Sequence, residues 1–280
     1  MKKQTAKILF LVLSLCLLLI TLTACSQKTE SPAPVEKAPI VIKVGATPVP
    51  HAEILEQIKP LLAEKNISLE IVEFTDYVLP NLALQEGDLD ANFFQHVPYL
   101  DYFNENNKTN LVAIQAVHFE PLGIYPGKTA SIGELKEGAT IAVPNDATNE
   151  ARALLLLQSL ELITLKNDVG LTATPNDIVS NPLKLKFTEL EAVYLTTALP
   201  DVDLAVINGN YALEANITDT LLACEDKDSE AAATYANVLV VKAGNEKNPE
   251  LLALAEALTS DTVKTFIEKT YHNTVIAVFK

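Results

Sequence analysis

Short β-branched runs alternate with helical-period segments along almost the whole of residues 40–280, and this alternation constrains the fold more than any other feature. Residues 40–44 form a strand-like run closed by Gly45. Over residues 52–65 the apolar positions Ile54, Leu55, Ile58, Leu61 and Leu62 fall on one face at 3.6 residues per turn, which predicts a helix. A strand is predicted over 69–74, a helix from Tyr77 to Glu86 ended by Gly87, a strand over 90–95 and a helix over 98–104. A long extended stretch, 111–125, is interrupted at Pro121. Strands at 140–143, 183–187 and 203–207 are followed by helices at 150–160, 189–198 and 209–215. A strand at 238–242, helices at 249–258 and 261–271 and a strand at 274–279 complete the pattern. Such alternation implies α/β layers with largely parallel sheets. With about 240 ordered residues, two lobes are expected rather than one sheet. Lobe 1 is expected over 40–122 plus 240–280 and lobe 2 over 123–239, with crossings near 118–125 and 236–242.

The composition supports a folded domain: 49% of residues are hydrophobic and 20% charged, which excludes intrinsic disorder. Three cysteines in 280 residues exclude a disulfide-stapled scaffold. A formal charge of −15 argues against nucleic acid as a partner. Residues 1–24 read as an address rather than as structure. Lys2, Lys3 and Lys7 precede an apolar run over 8–23, too short for a membrane span, and Leu22-Thr23-Ala24-Cys25 resembles a bacterial lipobox. Cys25 is therefore expected to carry lipid on the extracytoplasmic face of the cell membrane. Residues 25–39, rich in Pro, Ser and charge, are the expected flexible tether. Cys224 follows Leu221-Leu222-Ala223 and is expected to be a buried, inert thiol with no disulfide.

Four segments carry candidate chemistry. Asp90 to Tyr99 delivers Phe94 and His96 to the C-terminal end of a strand, the edge where open α/β sheets bind ligands. Strand alternation requires one of Phe93 and Phe94 to face the core. In Pro144 to Arg152, Thr148 and Asn149 are N-cap types at a helix N-terminus that favours anions. Arg152 is the only arginine in the chain and offers a planar fork to a carboxylate. Asn208 and Asn237 each sit at a strand boundary, where an amide can donate and accept, although Asn208-Gly209 is also ordinary turn chemistry.

Together these segments resemble the NlpA/MetQ family of methionine-binding lipoproteins of ABC importers. The landmarks are Phe74-Thr75-Asp76-Tyr77 with Pro80-Asn81, the run Asp88 to Leu100, Glu120-Pro121-Leu122-Gly123-Ile124-Tyr125, Ile141 to Asp146, and Thr148-Asn149 leading to Arg152 and Leu157. Ala147 and Ala151 stand where the family usually has Pro and Gly, and residues 224–234 are longer than is usual. The resemblance implies a two-lobe type II periplasmic-binding fold with the ligand in a cleft between lobes. It places Tyr77, Phe94, His96 and Tyr99 on the first lobe around the thioether chain. Asn149, Arg152, Asn208 and Asn237 fall on the second, with Arg152 holding the α-carboxylate and Asn208 and Asn237 bonding the amino and carboxylate groups. It further implies L-methionine or a related amino acid as ligand, ABC permease and ATPase subunits as partners, and no cofactor or metal.

Other readings remain open on the residues themselves: another amino acid, a short methionine-containing peptide, or a non-transport surface lipoprotein or adhesin. An enzyme is disfavoured. Neither G-x-S-x-G nor a phosphate-binding glycine loop occurs, and none of His51, His96, His118 and His272 has metal-ligand spacing in sequence.

Overall fold

The computed structural model of the chain describes residues 38–227 and 230–280. The leader 1–24, Cys25 and the tether up to residue 37 lie outside the described residues. In chain order the strands are β1 Ile40–Ala46, β2 Ile67–Glu73, β3 Ala91–His96, β4 Leu111–Phe119, β5 Gly123–Pro126, β6 Thr140–Pro144, β7 Thr164–Leu165 and β8 Ile178–Ser180. They continue with β9 Lys186–Leu190, β10 Leu204–Ile207, β11 Ala223–Cys224, β12 Asn237–Lys242 and β13 Ile276–Ala277. A six-stranded sheet has the order β13-β4-β12-β3-β1-β2, and a five-stranded sheet the order β11-β5-β10-β6-β9.

Both sheets are mixed, not largely parallel as the alternation predicts. β1 runs parallel to β2 and β3, and β6 runs parallel to β9 and β10. β12 runs antiparallel to β3 and β4, and β5 antiparallel to β10. The reason lies in the two crossings. Strands in strand–helix–strand units all end at the same sheet edge. β5 and β12 arrive from the other sheet and therefore begin where their neighbours finish. The chain leaves β4 for β5 through Glu120–Leu122, and it returns before Asn237, so the whole of β12 belongs to the six-stranded sheet.

Each sheet is covered on two faces, which strand alternation makes possible. Leu204 and Val206 of β10 pack with Leu154 and Leu157 of the helix Ala147–Ser159. Ala205 and Ile207 of the same strand pack with Leu195, Tyr211 and Ala212. On the six-stranded sheet, Ile54, Leu55, Ile58 and Leu62 of the helix Glu53–Ala63 pack with Leu254, Leu258, Val263 and Ile267 of the two C-terminal helices. Leu84 and Leu100 cover the opposite face, against Val238 and Val240.

Two local expectations shift. The strand predicted over 183–187 is β9, at Lys186–Leu190. The Asn181 side chain holds both the N–H and the C=O of Leu185, keeping that segment as a turn. The helix predicted over 189–198 shrinks to a 3₁₀ turn, Ala192–Tyr194, and one turn, Leu195–Ala198. Cys224 is exposed on β11, not buried, because the apolar run before it turns only in part toward the core; burial and the acids Glu225 and Asp226 still push its thiol pKa up.

Candidate functional site

β3, β6, β10 and the crossing strand β12 bring their cavity-side ends together around a narrow, partly enclosed pocket. Tyr77, Phe94, His96, Tyr99, Asn149, Arg152, Asn208 and Asn237, the eight residues singled out in the sequence, all line it. Gln95, Glu120, Gly209 and Asn210 line it as well.

One wall is aromatic. β3 alternation buries Phe93 in the core and turns Phe94 toward the cavity. The Phe94 ring lies 5.8 Å from Tyr77 and 6.3 Å from Tyr99, and the two tyrosine rings are 5.8 Å apart, within the range of favourable ring pairs. Tyr99 OH donates to the Tyr77 backbone carbonyl at 3.0 Å, which ties the Tyr99 ring to the segment that carries Tyr77. Gln95, next along β3, is tied with Asn81 and Asn92 into a buried amide network at 2.6–3.1 Å. That network docks the helix Leu79–Glu86, and with it Tyr77, against the sheet.

His96 does two jobs. It is the N-cap of the helix Val97–Asn107, where its Nδ1 accepts the Tyr99 N–H at 3.2 Å. That bond leaves the proton on Nε2, which faces Asn149 Oδ1 at 3.3 Å. Burial, with the Arg152 charge nearby, lowers its pKa to about 3, so the ring is neutral at ordinary pH.

The other wall is polar. The N-cap of the helix Ala147–Ser159 is Asp146, rather than Thr148 or Asn149. Its carboxylate accepts the Asn149 N–H at 3.0 Å and both oxygens accept from Asn149 Nδ2, so the helix N-terminus already holds an anion of its own. Asn149 Oδ1 is left facing inward, where it accepts from Asn208 Nδ2 at 2.9 Å. Arg152 is 3% exposed, and its fork is taken by Glu225: Nε donates at 3.0 Å and Nη2 at 2.6 Å. Its Cζ stacks 4.1 Å over the Tyr235 ring. Nη1 makes only a 3.4 Å contact with Asn149 Oδ1. An incoming carboxylate would therefore meet one end of the guanidinium rather than its two-pronged edge.

The walls are bonded directly across the cavity. Tyr77 OH donates to Asn210 Oδ1 at 2.6 Å, and Tyr211 OH donates to the Thr75 carbonyl at 2.9 Å. Asn208 Oδ1 and Asn210 Nδ2 are buried and have no hydrogen-bond partner among the described residues. One acceptor and one donor thus line the cavity uncommitted, the kind of groups that orient a small polar ligand.

Asn237 is on the wall of the six-stranded sheet, not the second lobe, since it opens β12 opposite His96 and His118. Its Oδ1 meets His51 Nε2 at 3.1 Å. His51 and His118, 67 positions apart in sequence, join Glu120 in a buried cluster whose ligand atoms lie within 4.8 Å of one another. Among the described residues it is the one trio of His, Cys, Asp or Glu side chains close enough to hold a metal ion. Its contacts are those of a hydrogen-bonded network, with His118 Nε2 at 2.7 Å and His51 Nε2 at 3.4 Å from Glu120 Oε1.

Glu120, Gln95, Asn210 and Glu225 escaped the sequence reading as site residues. Glu120 opens a landmark motif, and an acid between Phe119 and Pro121 at a strand end was the available signal. Glu225 carried none, because its partner is 73 positions away.

The profile of the NlpA lipoprotein family matches residues 42–279. The chain is 40% identical over 258 residues to the D-methionine-binding lipoprotein MetQ of Salmonella typhimurium, covering 90% of this chain and 91% of that one. The solved structure of a nutrient-binding protein from Burkholderia cenocepacia bound to methionine superposes with a TM-score of 0.81 at 42% identity, covering 85% of this chain and 100% of the other. An ABC transporter periplasmic substrate-binding protein from Coxiella burnetii superposes with a TM-score of 0.79 at 40% identity and the same coverage. The fold is that of periplasmic substrate-binding proteins, and the chain belongs to the NlpA lipoprotein family.

Proposed function

We propose that this chain is the substrate-binding lipoprotein of an ABC importer, that its ligand is methionine, with the L form expected, and that it has no catalytic activity. The observation that carries the reading is convergence. One partly enclosed pocket has rings along one wall and, on the other, an arginine end and two uncommitted amide atoms. A thioether suits the ring wall, where sulfur–aromatic contacts contribute about 0.3–1.5 kcal/mol each. The carboxylate suits Arg152 Nη1 and Asn210 Nδ2. Asn208 and Asn237 then contribute amide groups to the ligand's polar end.

Capture proceeds by closure of two lobes that divide at Glu120–Leu122 and again ahead of Asn237. The bonds Tyr77–Asn210 and Tyr211–Thr75 belong to the closed form. Burial of all polar groups is what lets a ligand of about nine heavy atoms approach nanomolar affinity. Permease and ATPase subunits would receive the closed form. Lipid on Cys25 would keep the receptor at the outer face of the cell membrane and raise its concentration near them.

The test is thermal denaturation of the full-length chain in detergent, freed of bound ligand by unfolding and refolding, against all amino acids, D-methionine, methionine sulfoxide and methionine dipeptides. A ligand at a thousandfold excess over Kd stabilises by about 4 kcal/mol. The largest shift is expected with L-methionine. A larger shift with another amino acid or a dipeptide would replace the substrate, and no shift with any would reject the importer reading in favour of a surface lipoprotein.

A further inference from the structure

Glu120 is 6% exposed and is the only carboxylate among the residues lining the cavity. Its Oε1 meets His118 Nε2 at 2.7 Å and His51 Nε2 at 3.4 Å, and its carboxylate accepts the Asn210 backbone N–H. Gly209 lets it sit there: a Cβ at that position would fall 2.8 Å from the Glu120 Cβ and 3.1 Å from Oε2. The other charged residue at the cavity, Arg152, gives its fork to Glu225 and touches only the Glu120 carbonyl, at 3.4 Å.

Proton positions in the cluster follow from its bonds. Asn237 Oδ1 can only accept, so His51 carries its proton on Nε2, and its Nδ1 accepts from the Thr47 hydroxyl at 2.7 Å. His118 Nδ1 has no hydrogen-bond partner among the described residues. If Glu120 gave a proton to His118 Nε2, a buried Nδ1–H would be left orphaned, whereas His118 donating from Nε2 leaves only a bare acceptor. The network therefore favours an ionised Glu120 held by two neutral imidazoles. Both histidine pKa values are lowered, to about 4 and about 3, chiefly by burial. A buried carboxylate with no full cationic partner of its own, beside the uncommitted acceptor Asn208 Oδ1, is the chemistry that receives a primary ammonium.

We propose that Glu120 binds the α-ammonium group of the ligand, with His51 and His118 as uncharged positioning residues for its carboxylate, so that the site selects amino acids whose α-amino group is free and protonated. N-acylated and des-amino analogues are rejected. The inference rests on the amino-acid reading above and assigns its specificity.

The experiment is calorimetric titration of the refolded full-length chain, near neutral pH, with L-methionine, N-acetyl-L-methionine and the des-amino acid 4-(methylthio)butanoate. Wild type is expected to prefer L-methionine to both analogues by about 100-fold or more. Glu120→Gln should lose about 100-fold for L-methionine and change the weak binding of the des-amino acid less than about threefold. His118→Ala should lose about tenfold for L-methionine alone, and His118→Gln, which restores an N–H near the Nε2 position, should recover most of it. The histidine pair decides the matter if Glu120→Gln does not fold. Equal loss for all ligands in these variants, or a wild type that binds the des-amino acid as tightly as methionine, overturns the assignment while leaving the amino-acid reading intact. A wild type that binds no amino acid overturns both.

Discussion

Arg152 and Glu120 are buried to a similar degree at one cavity, yet the fold treats their charges differently. Arg152 is completed within the protein by the Glu225 carboxylate and the Tyr235 ring. Glu120 is surrounded by neutral hydrogen-bonding groups: two imidazoles and the Asn210 amide. The cavity's cation is thus a fixed part of the scaffold, with one nitrogen left for a ligand. Its anion is braced but not charge-paired, the arrangement that the proposed zwitterionic ligand would complete.

Acid breaks the comparison most severely, because the fold keeps neutral three histidines that the unfolded chain protonates. His51, His96 and His118 have folded pKa values of about 4, 3 and 3, below the ordinary 6.5. Above about pH 7.5 they contribute almost no pH dependence. As pH falls below 6.5 the unfolded chain takes up protons that the native state refuses, so stability declines until the folded values are reached. Each costs roughly 2 kcal/mol at pH 5. Burial raises the Glu120 pKa, which acts in the opposite sense and offsets part of the loss. Chemical denaturation at a series of pH values should show a steep fall between about pH 6.5 and 4, and a flat profile would refute the neutral imidazoles.

Arg152→Ala comes next. It strands Glu225, 10% exposed, and should destabilise by about 3–5 kcal/mol while abolishing ligand binding. Glu225→Gln keeps the shape and removes the balancing charge. It should lower stability by about 1–3 kcal/mol, and its ligand affinity should fall far less than that of Arg152→Ala if Glu225 only positions the guanidinium. Tyr77→Phe deletes the bond to Asn210 across the cavity and should cost about 0.5–1.5 kcal/mol of binding free energy, read by titration. Cys224→Ser, at an exposed position, should leave both stability and affinity within about 0.5 kcal/mol of wild type.

Much of this was legible in the sequence for local reasons. Strand–turn–helix grammar located β3 and β10 and the helix Ala147–Ser159, and strand alternation split Phe93 from Phe94. Residues at strand ends were placed at the cavity because α/β sheets present their ends to ligands. What failed was non-local. The insertion of β12 between β3 and β4 is a pairing choice made across more than a hundred residues. It moved Asn237 to the opposite wall and made the sheets mixed. Nothing local in the sequence shows that the Arg152 fork is occupied, because its partner, Glu225, sits in a segment without periodicity. The histidine cluster was invisible to spacing rules, which register only ligands close in the chain.

The most direct measurement is the titration of refolded full-length protein with L-methionine, in parallel with Arg152→Ala whose fold is checked by circular dichroism. One-to-one binding well below micromolar Kd in the wild type, lost in the variant, is the predicted result. Absence of binding in the wild type, or equal affinity in a folded Arg152→Ala, would contradict the account.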